Sequence, residues 1–319
     1  MLAGELGVRA LDSRLPEPLQ WPSFESQLKV HQMDALARRG GTDVVFVGSS
    51  VVNAGIDPAV FESAVGNVRA YNAGLSAGVP LLVSPWTTAA VLPRLHPKLL
   101  VIGVTSFDFY DHPASDAFYR AFADSSAGRR ALGNDGVLDK IDRWVTDRSE
   151  LWAHRLDLRD PRTLADALQG KAPAQAPEFG PIESDGRASY PQTSLPPSDP
   201  RSNGPPIDGW TLGTRNRDAV RRTIETARAQ GIAVVLVDMP ITQRYVDRHP
   251  HGQADYEVFL TSLRALATQE SVPLFEFDSQ RTPADFVDVV HLNIPAARAF
   301  TTELVATMRA AGALRSIGA

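Results

Sequence analysis

The sequence predicts an α/β protein built on a parallel sheet covered on both faces. Two observations carry that reading. Short, nearly continuous apolar runs recur along the chain, as fully buried parallel strands do. Helical segments with recognisable caps alternate with them.

The elements follow in order. Residues 1–40 read as an N-terminal arm with a helix over roughly 24–39. Asp43–Gly48 (DVVFVG) is a β-branched run closed by glycine, the first strand. Asp57 caps a helix over Asp57–Ala64, with Pro58 in its first turn. Arg69–Asn72 is a second strand, roughly 80–94 a helix, and Leu99–Thr105 (LLVIGVT) a third strand. Residues 115–127 and 138–157 read as helical, with Ile141, Val145 and Trp152 as expected core positions. Residues 172–209 hold nine Pro and four Gly in 38 positions and read as a long loop or partly ordered insertion. Val220, Ile224 and Ala227 mark one helix face, and Gly231 closes that helix. Ile232–Val237 (IAVVLV) is a fourth strand, roughly 254–269 a helix, and Leu274–Phe277 a fifth strand. Asn293 caps a last helix, with Pro295 in its first turn, running to about 310. The expected organisation is an arm over 1–40, then one α/β domain over 41–319 interrupted at about 111–209.

Composition excludes several functions. The chain has 319 residues and no cysteine, so it has no disulfide framework, no thiolate nucleophile and no Cys-ligated metal. Lys+Arg 32 against Asp+Glu 37 gives a formal net charge of −5, which offers no overall basic field for nucleic acid. The stretch between Arg69 and Arg94 carries no charge. It nevertheless holds Gly74, Gly78, Pro80, Pro85 and Asn72, and reads as a strand end, a turn and a buried helix rather than a membrane span. Glu5 and the lack of a long apolar run make the N-terminus a poor signal peptide. The default location is cytoplasmic, an extracytoplasmic one stays open, and the oligomeric state is not read.

Ligands of open parallel sheets bind beyond the carboxyl ends of the strands. Four loops qualify here. Gly48-Ser49-Ser50 follows the first strand, where a hydroxyl stands beside helix N–H groups. Taken alone, it reads as a turn cap. Asn72-Ala73-Gly74 follows the second strand, and a glycine there lets backbone approach a ligand or donate to an oxyanion. Ser106 and Asp108 follow the third; Asp108 reads equally as a cap. Asp288-Val289-Val290-His291 precedes the last helix, a spacing that lets the carboxylate hold one ring nitrogen while the other faces a serine. His249 and His251 (RHPHG) read as a solvated turn, and His31, His96, His112 and His154 stand alone. No GxxxxGK[ST], GxGxxG or HExxH occurs.

The four blocks FVGSSVVNAGIDP, YNAGLSAG, IGVTSFDF and DVVHLN, in that order, resemble the SGNH, or GDSL-type, hydrolase superfamily. The resemblance covers roughly 41–110 and 211–311. It implies a flavodoxin-like five-stranded parallel sheet of order 2-1-3-4-5 in three αβα layers. It also implies Ser50 as nucleophile, Asp288 and His291 as acid and base, and Gly74 with the Ser50 N–H as oxyanion donors. Two departures stand out. Ser49 replaces the usual acidic residue, a GSS variant similar to a branch acting on acyl groups of bacterial cell-surface polysaccharides. The third-block asparagine is absent, and losing one such donor costs about 3–4 kcal/mol of transition-state stabilisation; either Ser106 or another group substitutes for it, or the enzyme is slow, or its acceptor and chemistry differ.

The expected activity is serine-dependent acyl-ester hydrolysis on a small-molecule or carbohydrate ester, with no cofactor and no metal required. Acyl transfer to a sugar or natural-product hydroxyl is the second reading, and a non-catalytic glycan- or partner-binding domain the third. Ser49, Asp108, Met239 and Pro240 are the expected substrate-lining residues; for the transfer reading, the Pro-rich insertion and the loop after the fourth strand (Asp238, Met239, Pro240, Ile241, Thr242, then Arg244 and Tyr245) are the candidate walls of the acceptor site.

Overall fold

The computed structural model describes residues 2–155, 157–171, 180–190, 193–196, 198–205, 207–277 and 281–318. Five parallel strands form one sheet: β1 (Val44–Val47), β2 (Ala70–Asn72), β3 (Leu99–Val104), β4 (Ala233–Asp238) and β5 (Leu274–Glu276). Their order is 2-1-3-4-5. Val44 pairs with Ala70 on one side and Leu99 on the other, and Leu236 pairs with Leu274. β1, β2 and β3 are buried throughout, as continuous apolar runs require of a sheet covered on both faces. β5 is a half-buried edge whose exposed Glu276 pairs with Arg264.

Helices flank the sheet. Ser50–Gly55, Pro58–Val65 and Ile294–Ala310 pack together, and Pro80–Pro85 packs against Arg215–Ala229, which also meets Gln253–Glu270. The caps are those the sequence signals. Asp57 Oδ1 accepts from the Val60 N–H at 3.2 Å, and Asn293 Oδ1 from Ala296 at 3.0 Å. The architecture is the flavodoxin-like one that the SGNH resemblance implies. β1 runs between β2 and β3, so the strand order reverses there, and the crevice at its carboxyl end is where such sheets hold ligands.

The described residues fall into two compact units, 1–27 with 121–177 and 28–120 with 178–319. The sheet lies in the second. In the first, helix Leu2–Leu11 packs on Glu150–Ala153, and Val8, Leu15 and Ala167 form a small core. Among the described residues no helix is long and apolar enough to cross a membrane.

Several boundaries differ from expectation. The helix expected over 80–94 continues to Leu95 but widens into a π turn at Trp86–Val91. Pro85 inside it has no N–H to donate, and a π turn is one way a helix absorbs that loss. The helix expected over 115–127 breaks at Ser125, whose hydroxyl accepts from the Gly128 N–H and starts Ser126–Ala131. The helix over 138–157 is two, Val137–Thr146 and Glu150–Ala153. Ile141 and Trp152 are not core: they are 52% and 42% exposed, and Val145 is half-buried. Arg148 and Arg155 lie over the Trp144 and Trp152 rings, so guanidinium groups rather than a core cover those faces. Helices Leu2–Leu11, Ser50–Gly55 and Pro161–Leu168 were not signalled by periodicity. Of the Pro-rich segment, 172–179, 191, 192, 197 and 206 lie outside the described residues.

Gly103 in β3 explains how the first loop approaches the sheet. A Cβ there would stand 2.4 Å from Val52 Cγ2 and 2.9 Å from Met239 Sδ. Val52 belongs to the helix that begins at Ser50. Gly103→Ala is therefore expected to cost about 1–3 kcal/mol by overpacking, read as a lowered urea midpoint.

Candidate active site

The site forms at the carboxyl ends of β1 and β3. Ser50 is the first residue of helix Ser50–Gly55, with Ser49 before it in extended conformation. Asp288 and His291 come from the loop before helix Ile294–Ala310. Three sets of bonds hold that loop. Val287 N–H donates to the His291 carbonyl at 2.8 Å, the Thr242 amide and hydroxyl donate to the Val289 carbonyl at 3.1 and 2.8 Å, and Asn293 Nδ2 donates to the Ala284 carbonyl at 2.8 Å.

The three side chains meet across 241 positions of sequence. Ser50 Oγ lies 2.7 Å from His291 Nε2, and His291 Nδ1 lies 2.6 Å from Asp288 Oδ2. The other carboxylate oxygen, Oδ1, accepts from the Val290 and His291 backbone N–H groups, both at 2.8 Å. Burial works against charge on Asp288, yet the adjacent His291 and these hydrogen bonds hold its carboxyl below the usual carboxylate range. An ionised Asp288 accepts the Nδ1 proton. That leaves the Nε2 lone pair toward Ser50, the tautomer a general base needs. The Tyr190 ring packs on the imidazole with centroids 5.0 Å apart.

A cavity of about 550 Å³ opens beside this trio. Ser49, Ser50, Val51, Ala77, Thr105, Phe107, Phe118, Leu195, Asp288 and His291 are among its walls. Of the expected substrate walls, Ser49 is therefore present, but Asp108, Met239 and Pro240 are not. Asp108 is buried behind the wall, accepting from the Thr105 amide at 2.8 Å and the Thr105 hydroxyl at 3.2 Å. Met239 is fully buried, its side chain packed against Gly103 and Gly55, and Pro240 is buried too. The loop after β4 supports the Asp288–His291 loop from beneath, through Thr242, instead of lining the cavity. Arg244 bonds to Asn203 Oδ1 at 2.8 Å.

Neither Gly74 nor Ser106 is among the residues that line the cavity. The Gly74 N–H donates to Asn72 Oδ1 at 3.0 Å. A Cβ at Gly74 would meet the Asn53 backbone nitrogen at 2.8 Å, so this glycine permits close packing against the serine's helix. Asn72 Nδ2 in turn donates to the Val52 and Ile56 carbonyls, each at 2.9 Å, fastening that helix to the second loop. Fully buried Lys29 adds to the clamp: its Nζ donates to Asn53 Oδ1 at 2.9 Å, to the Asn72 carbonyl at 3.2 Å and to the Gly74 carbonyl. The second loop reaches the cavity further on, at Ala77 and Gly78. Ala77 has φ 53°, a left-handed conformation, in a residue that is not glycine. Alanine carries no sequence signal for such a position, which is why it was missed.

Ser106 is fully buried and faces away from the cavity, into a network with His249 and Tyr245. His249 Nδ1 lies 3.0 Å from the Val246 carbonyl, which can only accept, so the proton sits on Nδ1. Nε2 then accepts from the Ser106 hydroxyl at 2.8 Å. The Ser106 oxygen accepts from the Tyr245 hydroxyl at 3.0 Å, and the Tyr245 oxygen from the Phe107 N–H at 3.1 Å. Burial pulls the His249 pKa down, in keeping with this neutral ring. His249 is thus no solvated turn residue. It packs inward against Trp210 and Tyr245, while His251 stays at the surface beside Asp255. His154 is not alone either. It is buried in the smaller unit, with Nε2 3.0 Å from Asp12 and Nδ1 3.3 Å from Asp157. Asp12, Glu150 and His154 place potential ligand atoms within 4.8 Å of one another, but both ring nitrogens already meet carboxylates.

No family profile and no curated protein matches the sequence. Solved structures do. The chain is similar to TesA, at 15% identity over 83% of this chain and 97% of that one, with a TM-score of 0.42. It is also similar to a GDSL-like lipase from Bacteroides thetaiotaomicron, at 12% identity over 91% and 98%, with a TM-score of 0.44. At these identities and TM-scores the likeness carries no argument about what this chain does.

Two outcomes follow from the buried network. Ser106→Ala is expected to lower kcat for ester hydrolysis by less than about tenfold, whereas loss of a true oxyanion donor costs about 10²–10³; steady-state kinetics distinguish the two. Burial pushes the Asp108 carboxyl up to about 7. A carboxyl that binds its proton more tightly when folded stabilises the fold below its ordinary value and loses that contribution as pH rises through the folded value. Urea denaturation from about pH 4 to about pH 8 should therefore show stability falling toward the upper end of that range, and Asp108→Asn should flatten the fall.

Proposed function

We propose that this protein is a serine-dependent acyl-ester hydrolase in which Ser50, His291 and Asp288 act as nucleophile, base and orienting acid. The observation that carries the reading is the pair of contacts at the imidazole: 2.7 Å from Nε2 to Ser50 Oγ and 2.6 Å from Nδ1 to Asp288 Oδ2. A hydroxyl is a weak nucleophile unless a base within hydrogen-bond reach takes its proton, and that base is held in the right tautomer by a third group.

Ser50 Oγ forms a bond to the ester carbonyl carbon as its proton passes to His291 Nε2. The carbonyl oxygen takes the electron pair and becomes an oxyanion. The carbonyl re-forms, the bond to the alcohol oxygen breaks, and the Nε2 proton goes to the departing alcohol. Water then attacks the acyl-Ser50 carbonyl, giving its proton to Nε2. That proton returns to Ser50 Oγ as the carboxylic acid leaves. Asp288 stays ionised throughout and stabilises the imidazolium form.

The oxyanion donors we assign are the backbone N–H groups of Ser50 and Ala77. Both residues border the cavity, and among the described residues neither N–H has another acceptor. Gly74, with its N–H engaged by Asn72, leaves this role to Ala77.

Labelling with a fluorophosphonate probe tests the assignment. Wild type should label and Ser50→Ala should not, with ester turnover falling by about 10⁴ or more in Ser50→Ala and in His291→Ala. Equal labelling of wild type and Ser50→Ala would remove Ser50 as the nucleophile.

A further inference from the structure

We infer that the ester this site takes carries an apolar, uncharged acyl chain of medium length, seated along Val51, Phe107, Ala114 and Phe118 rather than along the Tyr190–Leu195 side. The inference rests on Ser50 as nucleophile and goes beyond it by naming the substrate class and its direction in the cavity.

Size comes first. The cavity holds about 550 Å³. An acetyl methyl fills roughly the space of one water, about 30 Å³, so an acetyl ester would leave most of the acyl side of the cavity unfilled. Chemistry comes second. Of the residues that line it, the titratable side chains are Asp288, His291, His112 and Tyr190. Asp288 is held by His291 and its own loop, and His112 Nδ1 accepts the Ala114 N–H at 3.1 Å. No lysine or arginine is among those residues to meet a charged substrate. Thr105, the hydroxyl on the third-strand side, donates to buried Asp108. A sugar has hydroxyls all round and would find few partners here; a hydrocarbon chain needs none.

Direction comes from proton transfer. The leaving alcohol oxygen must take its proton from His291 Nε2, so the alcohol lies on the imidazole's side of the reacting carbon. Tyr190 packs on that ring, and the Leu195 N–H donates to the Val287 carbonyl at 2.7 Å, so these two residues stand on the alcohol side. Val51, next to the nucleophile, and the segment Phe107–Phe118 form the remaining wall, and the acyl chain takes it. If acyl and alcohol share the cavity evenly, the acyl side has room for roughly six to ten carbons at about 30 Å³ each.

Burying one methylene is worth a factor of about fourfold. With p-nitrophenyl esters from acetyl to dodecanoyl, kcat/KM should rise by up to about fourfold per added carbon and level off at roughly six to ten carbons. Phe118→Trp should move the maximum to shorter chains and Phe107→Ala to longer ones. Leu195→Trp should leave the acyl maximum in place and penalise bulky alcohols. Alkyl fluorophosphonates of the same lengths, read as inactivation rates, give the profile without requiring deacylation. Rates that are flat or falling from acetyl upward, in an activity abolished by Ser50→Ala, overturn this inference and leave the nucleophile standing. So does an acyl maximum moved by Leu195→Trp but by neither phenylalanine variant. Ester hydrolysis undiminished in Ser50→Ala would sink the nucleophile reading instead.

Discussion

The molecule depends on one imidazole bonded at both ends. His291 meets Asp288 within its own four-residue loop and Ser50 at the start of the helix that follows β1. The first contact is local and cheap in chain entropy. The second joins segments 241 positions apart and exists only because the sheet order reverses at β1. A shift of about 1 Å in either loop would lengthen the 2.7 Å contact beyond hydrogen-bond range. The surrounding polar groups are therefore spent on holding those two loops still. Asn72 and Lys29 fasten the serine's helix, and Thr242 and Asn293 fasten the histidine's loop.

The same accounting explains the end of β3. Where the SGNH resemblance leads one to look for an asparagine aimed at the reacting oxygen, this chain turns its polar groups inward. Ser106, Tyr245 and His249 pass hydrogen bonds in one direction, from the Phe107 amide to the Val246 carbonyl. Trp210 Nε1 donates to the Ser106 carbonyl at 2.8 Å, and Asp108 takes the Thr105 donors. Each group is satisfied, so the segment is rigid without offering a side-chain donor to the cavity. What it offers instead is the Phe107 ring. Under the proposed function, the help that one donor gives an oxyanion, about 3–4 kcal/mol, is to be compared with about 0.8 kcal/mol for each methylene of a chain bound on apolar surface. Four or five methylenes are enough to offset one missing donor in kcat/KM.

Much of this was legible in the sequence, and the failures have common causes. Strands read correctly because parallel strands buried on both faces are apolar at every position. Ser50, Asp288 and His291 stood out in the sequence because serine-based ester chemistry fixes residue type and, for the last two, spacing; the fold brings the three side chains into contact. Gly74 is ambiguous in the sequence because a glycine beside a site has two uses. Here it admits close packing on Asn53, while the residue that reaches the cavity in a left-handed conformation is Ala77. Ser106 and Met239 misled because position after a strand says that a residue is near the sheet end, not which way its side chain turns. His249 was read as surface because its neighbours Arg248, Pro250 and His251 are polar or turn-forming; the aromatic shell that buries it combines Tyr245 and Tyr256 from the two flanking helices with Trp210 from a distant segment. Ile141 and Trp152 have helical core spacing, but apolar spacing shows that a face exists, not that anything covers it.

The Pro-rich segment was the least legible and is the most consequential for the substrate. Proline and glycine remove the periodicity on which sequence reading depends, yet the described part of this segment is tied to both halves of the site. The Ala188 N–H donates to the Asn53 carbonyl at 3.0 Å, on the serine's helix, and the Leu195 N–H to the Val287 carbonyl, next to Asp288. Ala188 and Tyr190 bury themselves against Ala54 and Val287, with Leu195 packed alongside. The residues that shape the alcohol side of the cavity are therefore carried on the same bonds that hold the serine's helix and the histidine's loop. A substrate that displaces Leu195 or Tyr190 pulls on those bonds directly. Under the proposed function, an ester that fits poorly on the Tyr190–Leu195 side is expected to lose kcat as well as affinity.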